Sequence, residues 1–87
     1  MSSGVRLNAL VGRPLADVGV REIVTSTAEA IGERNGIDVR VTFVGDDAIE
    51  LEVEGSQLTA TAAAAELRRL TDQWHRGRYD APLWSAT

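Results

Sequence analysis

The 87-residue sequence contains no cysteine, and this absence excludes several kinds of chemistry at once. Disulfide bridges, thiolate nucleophiles, cysteine-based zinc sites and iron–sulfur ligation all need the missing side chain. The glycines also do not form a P-loop or a dinucleotide-binding fingerprint, which require several glycines at set spacing. We therefore predict a protein that holds no cofactor.

Long apolar runs and lysine are also missing. A membrane-spanning helix needs about 18 to 20 apolar residues in succession. The opening segment MSSGVRLNAL lacks the basic region and long apolar stretch of a secretory signal. These features predict a soluble, cytoplasmic protein without membrane association. All the basic side chains are arginine, and together with the abundant alanine they suggest a GC-rich bacterial genome.

Positive charge is in deficit, with 9 basic against 13 acidic side chains and a net charge of −4. Such a balance disfavours general attraction to nucleic-acid phosphates. A hydrophobic content of 44% is too high for a disordered chain. The length is that of one small domain, whose single core is barely sufficient for stable folding. A partner or a second copy could therefore add stability.

The clearest pattern is the segment IDVRVTFVGDDAIELEVEG, in which apolar and polar side chains alternate on both sides of GDD. Alternation with one apolar face is typical of an antiparallel hairpin. We predict strands over 37–44 and 48–54. The three glutamates of the second strand then form a row on its water-facing side.

The pairing of these strands has two possible registers. In the first, Phe43 lies opposite Ile49 on the apolar face, and Arg40 lies across from Glu52. In the second, Phe43 lies opposite Leu51. Both registers keep the apolar side chains together, and both place Phe43 on the apolar face.

Two segments show the apolar spacing of three and four residues that is typical of amphipathic helices. The first covers about 18–35, with Asp17 as its cap and Asn35–Gly36 as its end. The second covers about 59–76, where the cap is Thr59 or Thr61, and Gly77 ends it. Its alanine run permits close approach to a sheet or another helix.

These elements predict an α+β domain with two layers, in which both helices cover one face of a small antiparallel sheet. The opening residues 4–11 alternate weakly, and they could supply a third strand. The predicted organisation is a single domain over 1–78, followed by an extended tail over 79–87. The proline at position 82 marks this tail.

Catalytic and metal-binding patterns are weak. His75 is the only histidine, and no motif fixes a nucleophile or an acid beside it. Asp46, Asp47 and Glu50 lack the ligand spacing of a calcium loop. We therefore predict no catalytic residues and no metal site, and a protein that is not an enzyme.

The end of the chain, DQWHRGRYDAPLWSAT, concentrates aromatic and basic side chains on an otherwise acidic protein. Such residues are favoured both at interfaces and at core edges. Two interpretations remain open: the tail docks on a partner, or Leu83 and Trp84 fold back and seal the domain. The predicted partner-binding residues are Arg68, Arg69, Trp74, Arg76, Arg78, Tyr79, Leu83 and Trp84.

The helix–hairpin–helix order over about 18–70 resembles that of the small coupling proteins of soluble diiron monooxygenases. In outline it is also similar to the C-terminal scaffold domain of iron–sulfur assembly proteins, which depends on a Cys-x-x-Cys pair that this chain lacks. No diagnostic motif accompanies either resemblance, so neither assigns a family or a residue role.

The sequence favours a small accessory or interaction protein that binds a protein partner, or a second copy of itself, through its C-terminal region. Deletion of 79–87 is then expected to abolish association and leave most of the fold. The alternatives are a small nucleic-acid-binding domain that uses Arg68, Arg69, Arg76 and Arg78, and a small-molecule binder or enzyme with a pocket between sheet and helices.

Overall fold

The computed structural model describes residues 1–85, and within them it confirms the predicted two-layer α+β architecture. A three-stranded antiparallel sheet packs against two helices. In chain order the elements are β1 (Ser2–Asn8), a short 3-10 helix (Pro14–Ala16), α1 (Val18–Asn35), β2 (Val39–Val44), β3 (Ala48–Glu54) and α2 (Gln57–Tyr79). Residues 86 and 87 of the predicted tail lie outside the described residues.

The strand order is β1-β3-β2, so the opening residues do join the sheet. β1 begins two residues and ends three residues earlier than the predicted 4–11, and it pairs antiparallel along the whole of β3. β3 is therefore the central strand, with β1 and β2 at the two edges. The hairpin of β2 and β3 is confirmed, although its first strand begins at Val39 rather than at residue 37.

Neither predicted register holds along the whole hairpin, because β2 contains a β-bulge. Arg40 lies opposite Glu52 as the first register requires, but the pairing shifts between Val41 and Phe43. Phe43 consequently lies opposite Glu50 rather than Ile49 or Leu51, and it is 46% exposed. The extra residue instead turns Val44 toward the helices. The expectation that Phe43 belongs to the core face was wrong.

The face of the sheet without helices carries the predicted row of glutamates along β3. Arg6 of β1 forms an ion pair with Glu50 at 3.2 Å, and Arg40 of β2 forms one with Glu52 at 2.5 Å. These arginines flank the central strand from both sides, so the repulsion within the row is partly relieved. Two of the three glutamates on this open face are thus balanced by arginines of the edge strands.

The ends of α1 follow the prediction. The Asp17 carboxylate accepts hydrogen bonds from the amides of Gly19 and Val20 at 2.8 and 3.2 Å. At the other end Gly36 adopts the left-handed conformation with φ of 66°. The chain then reverses so tightly that the Ile37 amide donates to the Gly32 carbonyl at 3.0 Å. Gly32 is buried where α1 meets the start of β2.

α2 is longer than predicted at both ends. Ser56, rather than Thr59 or Thr61, caps it by accepting from the Thr59 amide at 3.3 Å. The helix continues through Gly77 and ends at Tyr79, and Asp80 forms its C-cap in the left-handed conformation with φ of 57°. Ion pairing and packed rings in the last turns offset the low helix propensity of the glycine, so the prediction that Gly77 ends the helix was wrong.

The core lies between the sheet and the helices, and it differs in detail from the predicted apolar stripes. Ile23 of α1 is exposed and Leu70 of α2 is only partly buried, whereas Ala28 and Thr71 are fully enclosed. The larger buried side chains are Leu7, Leu15, Val20, Val24, Ile31, Ile49, Leu51, Val53, Leu67, Leu83 and Trp84. Among residues 1–85, no helix combines the length and the apolar character needed to cross a membrane.

Candidate partner-binding surface

The segment after α2 folds back onto the domain. For Leu83 and Trp84 this favours the interpretation in which the tail seals the domain over the one in which it docks on a partner. Their exposed fractions are 1% and 5%. The Leu10 amide donates to the Leu83 carbonyl at 3.0 Å, and the Ser85 amide donates to the Asn8 carbonyl at 2.8 Å. Leu83 and Trp84, predicted to bind a partner, are instead parts of the core and unavailable in this conformation.

The indole of Trp84 has a dedicated acceptor inside the core. Its Nε1–H donates to Thr71 Oγ1 at 2.8 Å, and the same hydroxyl donates to the Leu67 carbonyl at 2.6 Å. A buried indole N–H without a partner would be costly, so the hydroxyl of Thr71 is what allows a tryptophan here. The expectation that deletion of 79–87 leaves most of the fold intact is not compatible with this packing.

Asp72 joins the C-terminal segment to α2. One carboxylate oxygen accepts from the Leu83 amide at 2.7 Å, and the other accepts from Arg76 Nε at 2.7 Å. Partial burial raises the pKa of this carboxyl group, but hydrogen bonds from Arg76 and Leu83 and the charge of Arg76 outweigh that effect. The net result is that the pKa of Asp72 is lowered from its ordinary value.

This lowered pKa predicts a stability change in acid. A carboxyl group whose pKa is lower when folded stabilises the protein fully above its ordinary pKa, and this contribution disappears as the pH falls through the folded value. The free energy of unfolding should therefore decrease in strong acid, and part of this decrease should be absent in Asp72→Asn. Urea titrations from about pH 7 to about pH 2 measure both curves. Parallel curves for the two proteins would contradict the prediction.

The last turns of α2 gather three aromatic rings. The His75 and Tyr79 rings are 4.7 Å apart, and Trp74 meets Tyr79 edge to face at 6.1 Å. His75 Nδ1 donates to the Ala81 carbonyl at 2.7 Å, so the histidine secures the end of the helix. Trp74 is half-buried against the core, and Tyr79 is 46% exposed.

The four predicted arginines all lie on α2, but their surroundings differ. Arg69 pairs with Glu66 at 2.9 Å, and Arg76 pairs with Asp72. The guanidinium of Arg78 lies 5.9 Å from the centre of the Tyr79 ring. Within the described residues, neither Arg68 nor Arg78 forms an ion pair, so both are available to an external carboxylate or phosphate.

A groove of about 650 Å³ lies between α2 and the outer edge of β1, and we call it the β1–α2 groove. Its β1 side is formed by residues 4–7. Its helical side contains the small residues Thr61, Ala64 and Ala65, together with Arg68, Arg69 and Asp72. Sequence reasoning did not find this groove, because local patterns do not reveal which strand is at an edge. Only the alanine run indicated a surface that permits close approach.

The sequence-predicted residues thus fall into three places. Leu83 and Trp84 belong to the core, Arg68 and Arg69 line the β1–α2 groove, and the others gather around the end of α2. In a comparison with known proteins, the sequence matches no protein family and no curated protein.

Proposed function

We propose that this chain is a small, non-enzymatic accessory protein that binds a protein partner through the outer surface of α2. The observation that carries the proposal is a separation of charge: Arg68, Arg69, Arg76 and Arg78 share one helix of an acidic protein. The glutamate row lies on the face of the sheet that the helices leave open. A partner with acidic and apolar side chains complements the α2 surface.

The side chains on this surface are of the types that contribute most to protein interfaces. Arginine and aromatic residues are enriched among interface hot spots, where they combine hydrogen bonding with apolar contact. Arg78 and Tyr79 form such a combination at one end of α2, and Arg68, which has no ion pair within residues 1–85, lies nearer its middle. This distribution supports an interaction role in which the chain serves as a subunit or a regulator.

The test is affinity capture from a lysate of the source organism, with the double variant Arg68→Glu/Arg78→Glu as the comparison. The affinity for a specific partner, and with it the recovery, should fall by about thirtyfold or more, because an arginine hot spot contributes about 2 kcal/mol or more. Arg13→Glu is the control for charge, since Arg13 is exposed and lies outside the α2 surface. Equal recovery by all three proteins would overturn the proposal.

Nucleic acid is the second candidate for the same arginines, because Trp74 and Tyr79 lie beside them and could stack on bases. Nuclease treatment of the lysate separates the two functions. A protein partner remains bound after treatment, whereas capture that depends on nucleic acid is lost. Binding of purified DNA or RNA that weakens steeply with salt would favour this second function.

A further inference from the structure

We propose that the edge of β1 binds an extended, acidic segment of the partner as a fourth strand of the sheet. The proposal rests on the function proposed above, and it specifies where and how the partner binds. Strand addition at a sheet edge takes its affinity from main-chain hydrogen bonds and its selectivity from alternate side chains.

The backbone groups of β1 alternate between the inside and the outside of the sheet. The Gly55 amide donates to the Met1 carbonyl, and the Ala9 amide donates to the Asp47 carbonyl. The backbone N–H and C=O groups of the odd-numbered residues therefore point toward β3, because hydrogen-bonded pairs alternate along an antiparallel ladder. The amides and carbonyls of Gly4 and Arg6 point outward, along the β1–α2 groove.

The same edge already accepts a strand at its far end. Trp84 forms an antiparallel bridge with Ala9, and the Ser85 amide donates to the Asn8 carbonyl. The outward carbonyl of Asn8 therefore accepts a hydrogen bond from an added strand, and we expect the outward carbonyls of Gly4 and Arg6 to do the same. A partner strand that follows the groove would extend this pairing toward the start of β1.

The opposite edge of the sheet is less suited to strand addition. β2 is interrupted by the bulge between Val41 and Phe43, and bulges are a common way of protecting an edge. β1 has regular pairing over all 7 of its residues. The small side chains of Thr61 and Ala65 also leave space above α2 for the side chains of an added strand.

The charge of the groove identifies the occupant as acidic. Arg6, Arg68 and Arg69 line it, but Arg6 is paired with Glu50 and Arg69 with Glu66, so the charge available to a partner is that of Arg68. Both carboxylate oxygens of the one acidic residue in the groove, Asp72, are already hydrogen-bonded. Arg68 has no ion pair within residues 1–85, so it can receive a carboxylate from the added strand. A second copy paired through β1 would supply a second Arg68 and, among the residues of the groove, no carboxylate that is free of hydrogen bonds, which disfavours a homodimer at this edge.

The test uses the full chain and capped peptides of about 7 residues, the length of β1. One peptide alternates valine with glutamate, and its matched control replaces each glutamate with glutamine. NMR titration should show the acidic peptide binding about tenfold more tightly than its control. At saturation the outward amides of Gly4 and Arg6 should exchange with solvent at least about tenfold more slowly. The amide of Val41, on the other edge strand, should not change.

Two variants separate the contributions of backbone and charge. Gly4→Pro removes an outward N–H that the β1–β3 ladder does not use, and it should abolish peptide binding. Arg68→Glu should weaken binding of the acidic peptide by about tenfold and leave the glutamine peptide unaffected. Arg13→Glu makes the same change of charge outside the groove, so binding should be retained. Thermal unfolding establishes that each variant is folded.

The proposal is overturned if both peptides bind equally, if Gly4→Pro binds like the original protein, or if Val41 becomes protected instead of Gly4. Protection of Gly4 that increases with protein concentration, without peptide, would identify a second copy as the occupant. If the peptides fail while Arg68→Glu/Arg78→Glu still loses the captured partner, strand addition is rejected and the proposed function is retained.

Discussion

Replacing Trp84 with alanine should lower the free energy of unfolding by about 3 to 5 kcal/mol. The indole is 5% exposed, packs within the core, and donates to Thr71. Its loss leaves a cavity that neighbouring side chains can refill only in part. Domains are stable by only about 5 to 15 kcal/mol, and a chain of 87 residues falls in the lower part of this range.

The measurement is urea unfolding followed by circular dichroism, supported by thermal melting. For a domain of this size, each 1 kcal/mol corresponds to about 4 to 8 °C in Tm, so the expected decrease is tens of degrees. Tyr79→Ala is the matched control. Because that ring is 46% exposed, its removal should lower the free energy of unfolding much less. A change below about 1 kcal/mol for Trp84→Ala would show that the segment after α2 does not complete the core.

The second large effect is expected when two helical glycines are replaced by alanine, because the two substitutions should change the free energy of unfolding in opposite directions. A Cβ on Gly32 would lie 2.9 Å from the Ile37 carbonyl oxygen and 3.3 Å from the side chain of Val39. The backbone at Ile37 is fixed by its hydrogen bond to Gly32, so it cannot move away easily. Gly32→Ala should therefore destabilise the protein by about 1 to 3 kcal/mol, despite the better helix propensity of alanine.

Gly77 provides the control in the other helix. A Cβ there meets no atom within 4 Å among the described residues, and the residue is exposed in α2. Gly77→Ala should stabilise the protein by about 0.5 to 1 kcal/mol, because alanine loses less backbone entropy in a helix. Chemical unfolding of both variants checks the pair. Stabilisation by Gly32→Ala would contradict the close packing of α1 against β2.

The parts of the fold that the sequence predicted well are those determined by local periodicity and capping. Alternation identified the two strands of the hairpin, and a spacing of three and four identified α1 with its Asp17 cap. These signals are strong because each depends on residues that are close in sequence. The glutamate row on the open face followed from the same alternation.

The features that were missed depend on contacts between distant parts of the chain. The bulge in β2 arises because both Val41 and Val44 can then face the helices, and this advantage is visible only when the helices are present. The end of α2 was misplaced because the rings of Trp74 and Tyr79 stabilise the turn beyond Gly77. Local propensity alone favours an earlier end.

The candidate site was predicted in composition but not in arrangement. The sequence drew attention to the arginines of α2, and two of them do line the β1–α2 groove. It could not separate them from Leu83 and Trp84, because apolar and aromatic residues near a chain end suit a core edge as well as an interface. The β1 half of the groove could not be predicted before the strand order was known.

The central position of β3 has a consequence for how the protein folds. β2 and β3 are joined by a tight turn, so this hairpin can form within microseconds. β1 instead pairs with residues that are far away in sequence, as the pairing of Leu7 with Ile49 shows. The separation in sequence between Ala9 and its partner Trp84 is larger still. Closing such large loops costs entropy before any stabilising contact forms, and this cost slows folding. We expect the hairpin and α1 to form an early nucleus, with β1 and the segment around Trp84 docking in the final, rate-limiting stage.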